Sequence, residues 1–103
     1  MENVDIGLSS SEMKKLVDVL STQPHIEKAI VYGSRAMGTN RRFSDIDLTL
    51  VGEKLTIHDM NRVALLIDDL LLPYQLDLSL YSSLTNTALI DHINRVGKVI
   101  YKS

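Results

Sequence analysis

The sequence has no cysteine and no tryptophan, one phenylalanine and only two prolines among 103 residues. Without cysteine there is no disulfide scaffold, no thiol nucleophile and no thiolate zinc site, and the composition suits a reducing cytosol. The longest uninterrupted apolar run, residues 63–67 (VALLI), is far too short to span a bilayer. The opening residues, MENVDIGLSSSEMKK, carry acids and no basic-then-apolar pattern, so they do not read as a secretion signal. A strongly basic surface is missing too. The formal net charge is −2, which argues against duplex DNA as a partner held through its phosphates. Repeats, low-complexity tracts and linkers are also lacking, so the expectation is a single domain over residues 1–103, cytoplasmic and not membrane-bound.

What is present is a regular alternation of helix and strand signals. Ser9 and Glu12 have capping-box spacing ahead of an apolar stripe at Met13, Leu16, Val17 and Leu20, which predicts a helix over 10–21. A β-branched run predicts a strand at 29–32, broken by Gly33. Strict alternation predicts a strand at 45–51, with Ile46, Leu48 and Leu50 on one face and Asp45, Asp47 and Thr49 on the other. A helix follows over 56–71, stopped by Pro73. Residues 75–81 repeat the alternation, placing Asp77, Ser79 and Tyr81 opposite three leucines. A last helix at 85–95 is capped by Gly97, and residues 99–101 read as an edge strand. The fold class is therefore α/β (α+β), a small mixed sheet with helices packed on one side.

The informative stretch is residues 33–50, GSRAMGTNRRFSDIDLTL. A D-x-D pair alone is commonly a solvated strand edge, and a Gly-Ser pair alone a plain turn. Their conjunction is more specific. Asp45 and Asp47, two apart on a strand, hold their Cα atoms roughly 6–7 Å from each other on one face. Asp77 joins them if its strand lies alongside. Such a carboxylate cluster suits Mg²⁺, a hard cation that takes one or two carboxylates together with substrate phosphates. Gly33 lets the backbone turn and approach a phosphate, Ser34 offers a hydroxyl, and Arg35, Arg41 and Arg42 offer positive charge. His25, His58 and His92 show no metal-ligand spacing and read as surface or helix-flank residues. Leu66, on the outer side of the second long helix, could meet a partner helix or a second copy of the chain.

Gly33-Ser34 to Gly38, followed by Ser44-Asp45-Ile46-Asp47, resembles the signature of the DNA polymerase β-type nucleotidyltransferase superfamily, in its small prokaryotic branch of minimal nucleotidyltransferases. The resemblance implies the nucleotidyltransferase fold and transfer of a nucleoside monophosphate, AMP from ATP, to a hydroxyl, with release of pyrophosphate. It implies that Gly33, Ser34, Arg35 and Ser44 hold the nucleotide. Asp45, Asp47 and Asp77 would hold one or two Mg²⁺ ions and carry the chemistry, with Asp77 assisting deprotonation of the acceptor. It further implies a helical partner of the HEPN type, or a substrate-binding subunit, in a toxin–antitoxin arrangement. The alternatives are an antitoxin that acts by occlusion and an antibiotic-modifying transferase. Met37 departs from the pattern, standing where relatives often carry Arg.

Overall fold

Helix α1 (Ser10–Ser21) starts where its capping box dictates. Ser9 Oγ accepts the Glu12 amide at 3.1 Å, and the Glu12 carboxylate accepts the Ser9 amide at 2.9 Å. The computed structural model describes residues 5–103. After α1 come β1 (Lys28–Tyr32), the one-turn helix α2 (Ser34–Met37), β2 (Ile46–Val51), α3 (Ile57–Asp68), β3 (Leu76–Leu80), a 3-10 turn (Tyr81–Ser83), α4 (Thr87–Val96) and β4 (Lys98–Lys102). Helix α3 repeats the device of α1, with Thr56 and Asp59 as the reciprocal pair. It ends three residues earlier than the sequence pattern suggests. Asp69 caps it, and Leu71 then turns into the left-handed region at φ 55°.

The four strands lie in the order β3-β2-β1-β4. Strand β1 runs antiparallel to both neighbours, whereas β2 and β3 are parallel. Parallel neighbours require a crossover, and α3 supplies it. At the other edge, the expected strand at 99–101 forms as β4. Ile30 pairs with Val99 and Ala29 with Tyr101, so Ile100 is an extra residue that bulges the strand.

The sheet has one face for packing and one for chemistry. Ala29, Val31, Leu48 and Leu50 point toward α1 and α3, where Leu16, Leu20, Val63 and Ile67 meet them in a shared buried core. The opposite face carries Ile30, Tyr32, Asp47, Thr49, Asp77 and Ser79, as the strand alternation demands. Thr49 is fully buried there, and its hydroxyl accepts from Ser79 Oγ at 3.0 Å. Helices α1 and α3 cover the first face as the sequence implies. Helix α4 lies on the second, over β1. Its His92 ring meets the Tyr32 ring edge-on, with centroids 6.2 Å apart. Gly97 follows at the expected cap position, but with φ −58° it needs no left-handed turn. Its smallness serves close packing, since a Cβ there would run into Ile93 O and Ile30 Cγ2.

Candidate active site

At the end of β1 the chain must leave the sheet abruptly. Gly33 does this at φ 72°, ψ −152°, a conformation almost confined to glycine. A side chain is excluded for a second reason: a Cβ on Gly33 would collide with Asp47 Oδ2. The strand-end turn and the second aspartate of the D-x-D pair are thus in direct apposition. Helix α2 begins at once with Ser34, and Gly38, left-handed at φ 74°, ends it. The amides of its first turn have no intrahelical acceptor. The Gly33 amide differs, because it donates to His92 Nε2 at 3.0 Å. A backbone N–H can only donate, so Nε2 is the accepting nitrogen and the imidazole proton is on Nδ1.

The carboxylates are ordered by strand register. Asp47 stands opposite Tyr32 of β1 on one side and level with Asp77 of β3 on the other. Tyr32, Asp47 and Asp77 therefore form a row across three strands. Asp45, exposed, lies just before β2 and two residues from Asp47. Burial raises the Asp47 carboxyl above the usual carboxylate range, and the charges of Asp77 and Asp45 push it further in the same direction. Burial likewise raises the Tyr32 phenol, with Asp77 and Asp47 adding to the effect, so its hydroxyl stays protonated.

This concentration of negative charge fits a cation. Among the described residues no three His, Cys, Asp or Glu side chains stand close enough to form a complete protein cage. Mg²⁺ does not need one, because it is commonly held by one or two carboxylates plus phosphate oxygens. Asp47 and Asp77 offer adjacent hard oxygens, and Asp45 lies two residues from Asp47 along the chain. A cleft of about 390 Å³ opens elsewhere, lined by Ile46, Ala64, Ile67, Tyr74 and Leu76 among others. It lies on the α3 side of the sheet and is not the place where the carboxylates gather.

Two residues expected to hold a nucleotide have another task here. Arg35 is 1% exposed. Its Nε and Nη2 donate to Ser44 O at 3.1 and 2.7 Å, and its Nη1 donates to Ile6 O at 2.9 Å. The guanidinium also stacks 4.5 Å from the centre of the Tyr74 ring. Every side-chain nitrogen is engaged inside the protein, so the Arg35 side chain shapes the loop and offers nothing to a phosphate. Ser44 closes the same loop, its Oγ accepting the Arg41 amide at 2.8 Å. Positive charge at the surface falls instead to the exposed Arg41 and Arg42, the latter over the Phe43 ring. Tyr81 lies past the end of β3, and its hydroxyl donates to Asn94 of α4 at 3.0 Å. His92 is the residue that sequence reasoning passed over. Only its place beside the buried Ile93 on α4 hinted at an inward-facing ring.

Among the described residues no helix is long and apolar enough to cross a membrane. Several solved structures share the fold. A chain of a toxin–antitoxin crystal structure with AMP-PNP is 24% identical, with a TM-score of 0.71, covering 88% of this chain and 73% of the other. A chain of the tri-AMPylated Shewanella oneidensis HEPN toxin in complex with MNT antitoxin is 18% identical, with a TM-score of 0.68, covering 93% and 74%. A chain of the MntA–HepT toxin–antitoxin structure is 18% identical, with a TM-score of 0.67, covering 92% and 74%. At such identities the likeness is one of fold. No curated protein matches the sequence. Residues 14–103 match the family model described as polymerase beta, nucleotidyltransferase, and the chain belongs to that nucleotidyltransferase family.

Proposed function

We propose that this chain is the catalytic subunit of a two-component pair, transferring AMP from ATP to a hydroxyl of a HEPN-type helical partner. The observation that carries the proposal is the register of β2 and β3, which sets Asp47 level with Asp77 beside the Gly33 turn. The neighbours add support: one fold relative was crystallised with AMP-PNP, and another holds an AMPylated HEPN toxin.

The chain's own groups divide the work. The α2 amides and the Ser34 hydroxyl receive phosphate oxygens, and Arg41 and Arg42 add charge from the loop. Asp47 and Asp77, with Asp45 beside them in the chain, would hold Mg²⁺, which when bound would neutralise the triphosphate and the departing pyrophosphate. Asp77 is exposed on an edge strand, where an incoming hydroxyl can approach it, and it takes that hydroxyl's proton. The acceptor oxygen bonds to the α-phosphorus as the bond to the pyrophosphate oxygen breaks.

The test is incubation of the co-purified pair with α-labelled ATP and Mg²⁺, beside the Asp47→Asn variant. Label on the partner that disappears in the variant is the expected result. A stable complex that silences its partner equally well with and without Asp47, and takes no label, would replace transfer by occlusion.

A further inference from the structure

We infer that His92 is a positioning residue for the nucleotide loop, an inference that rests on the proposed nucleotidyl transfer. The Gly33 amide is the first backbone donor after β1, and it is satisfied by a side chain 59 residues away. The half-buried imidazole is held from two directions. Its Nε2 accepts the Gly33 N–H at 3.0 Å, and its ring meets Tyr32 at an interplanar angle of 80°. Tyr32 and Gly33 are the residues on either side of the peptide that leaves the sheet. His92 therefore fixes the plane of that peptide, and with it the unusual Gly33 conformation that brings Asp47 Oδ2 against the Gly33 Cα.

This arrangement has a chemical corollary. The Gly33 amide is withdrawn from any anion, so the phosphates are left to Ser34 and the residues after it. Loss of the His92 acceptor frees the peptide to rotate. A rotated Gly33 changes both where α2 starts and how closely Asp47 can approach it. His92 acts through Gly33.

Glutamine and leucine variants separate the acceptor from the ring. The Gln side chain places an amide oxygen close to where Nε2 stood, whereas Leu fills space and accepts nothing. Three readings are compared: amide hydrogen exchange at Gly33, Mg²⁺–ATP binding, and transfer to the partner split into kcat and the KM for ATP. Leaving a part-buried amide unpaired is expected to speed Gly33 exchange and weaken Mg²⁺–ATP binding in His92→Leu by about tenfold. His92→Gln should recover most of both, with the KM for ATP moving more than kcat.

Equal defects in the two variants would assign the effect to ring packing and overturn the inference. Unchanged exchange at Gly33 in His92→Leu would overturn it as well. If His92→Leu does not fold, imidazole ¹⁵N shifts of the unaltered protein decide. An Nδ1-protonated ring with Nε2 accepting is expected, and an Nε2-protonated ring refutes the contact. Should the unaltered protein bind no Mg²⁺–ATP, the transfer proposal fails, while Gly33 exchange and the ¹⁵N shifts still judge His92.

Discussion

Gly33 answers two demands with one missing atom. Its backbone is left-handed at φ 72°, and the space where a Cβ would go is taken by Asp47 Oδ2. Gly33→Ala is expected to destabilise the chain by about 1–3 kcal/mol, measured by urea denaturation, through backbone strain and displaced carboxylate together. Asp47 behaves in the opposite sense. Its carboxyl is raised by burial and by neighbouring carboxylates, so the folded chain holds that proton more tightly than the unfolded chain does. Stability therefore increases as pH falls through the raised value, and the ionised group is a burden above it. Asp47→Asn should raise the melting temperature at neutral pH without added metal, on the order of a few degrees. Added Mg²⁺ should raise the melting temperature of the unaltered chain and leave that of the variant nearly fixed. At this scale the turn at Gly33 and the place of Asp47 in a strand were legible from residue type and alternation. The sequence misdirected for Arg35, because an arginine in a glycine-bearing loop looks like a phosphate ligand. The carbonyl of Ile6 and the ring of Tyr74 that engage it are distant in sequence.

Among the elements, α1 and α3 owe their starts to the same reciprocal caps, and both caps use a carboxylate. The Glu12 carboxyl is lowered chiefly by the Ser9 amide, and that of Asp59 chiefly by His25, 3.0 Å away. A lowered carboxyl contributes stability that is complete above its unfolded value and is lost as pH falls through the folded one. Thermal melts from about pH 6 down to about pH 3 should show that loss, with a shallower slope in the Glu12→Gln, Asp59→Asn double variant. The start of α1 was legible to the residue because capping chemistry is local. The end of α3 was not. The periodic apolar pattern runs on through Leu70 and Leu71, yet Leu71 is 88% exposed and left-handed. The short path from α3 back to β3 overrides a pattern that would otherwise extend the helix.

Across the whole molecule, Arg35 ties three regions together. Its guanidinium joins the segment at Ile6, the loop before β2 at Ser44, and Tyr74, whose hydroxyl reaches Glu12 of α1 at 3.2 Å. Arg35→Ala leaves two carbonyls short of a donor and is expected to cost about 2–4 kcal/mol in a denaturant titration. Arg35→Lys should recover little, because one ammonium cannot reproduce a fork that serves both carbonyls. Strand alternation made the face of the carboxylates legible, but their alignment needed the register of a parallel pair. The placement of α4 on that face was not legible, since its apolar stripe fits either side of a sheet.

The parallel pairing of β2 with β3 also imposes an order of assembly. Asp47 can meet the Gly33 turn once a short antiparallel excursion has closed. Asp77 arrives only when the α3 crossover has returned the chain across a separation like the 30 residues between Thr49 and Ser79. The His92 contact must close 59. Because loop closure costs more entropy as the loop lengthens, the carboxylate row is completed late in folding and its imidazole support later still. Refolding experiments should find the β1–β2 pairing formed before the carboxylate row, and the row formed before the Gly33 amide gains protection from exchange.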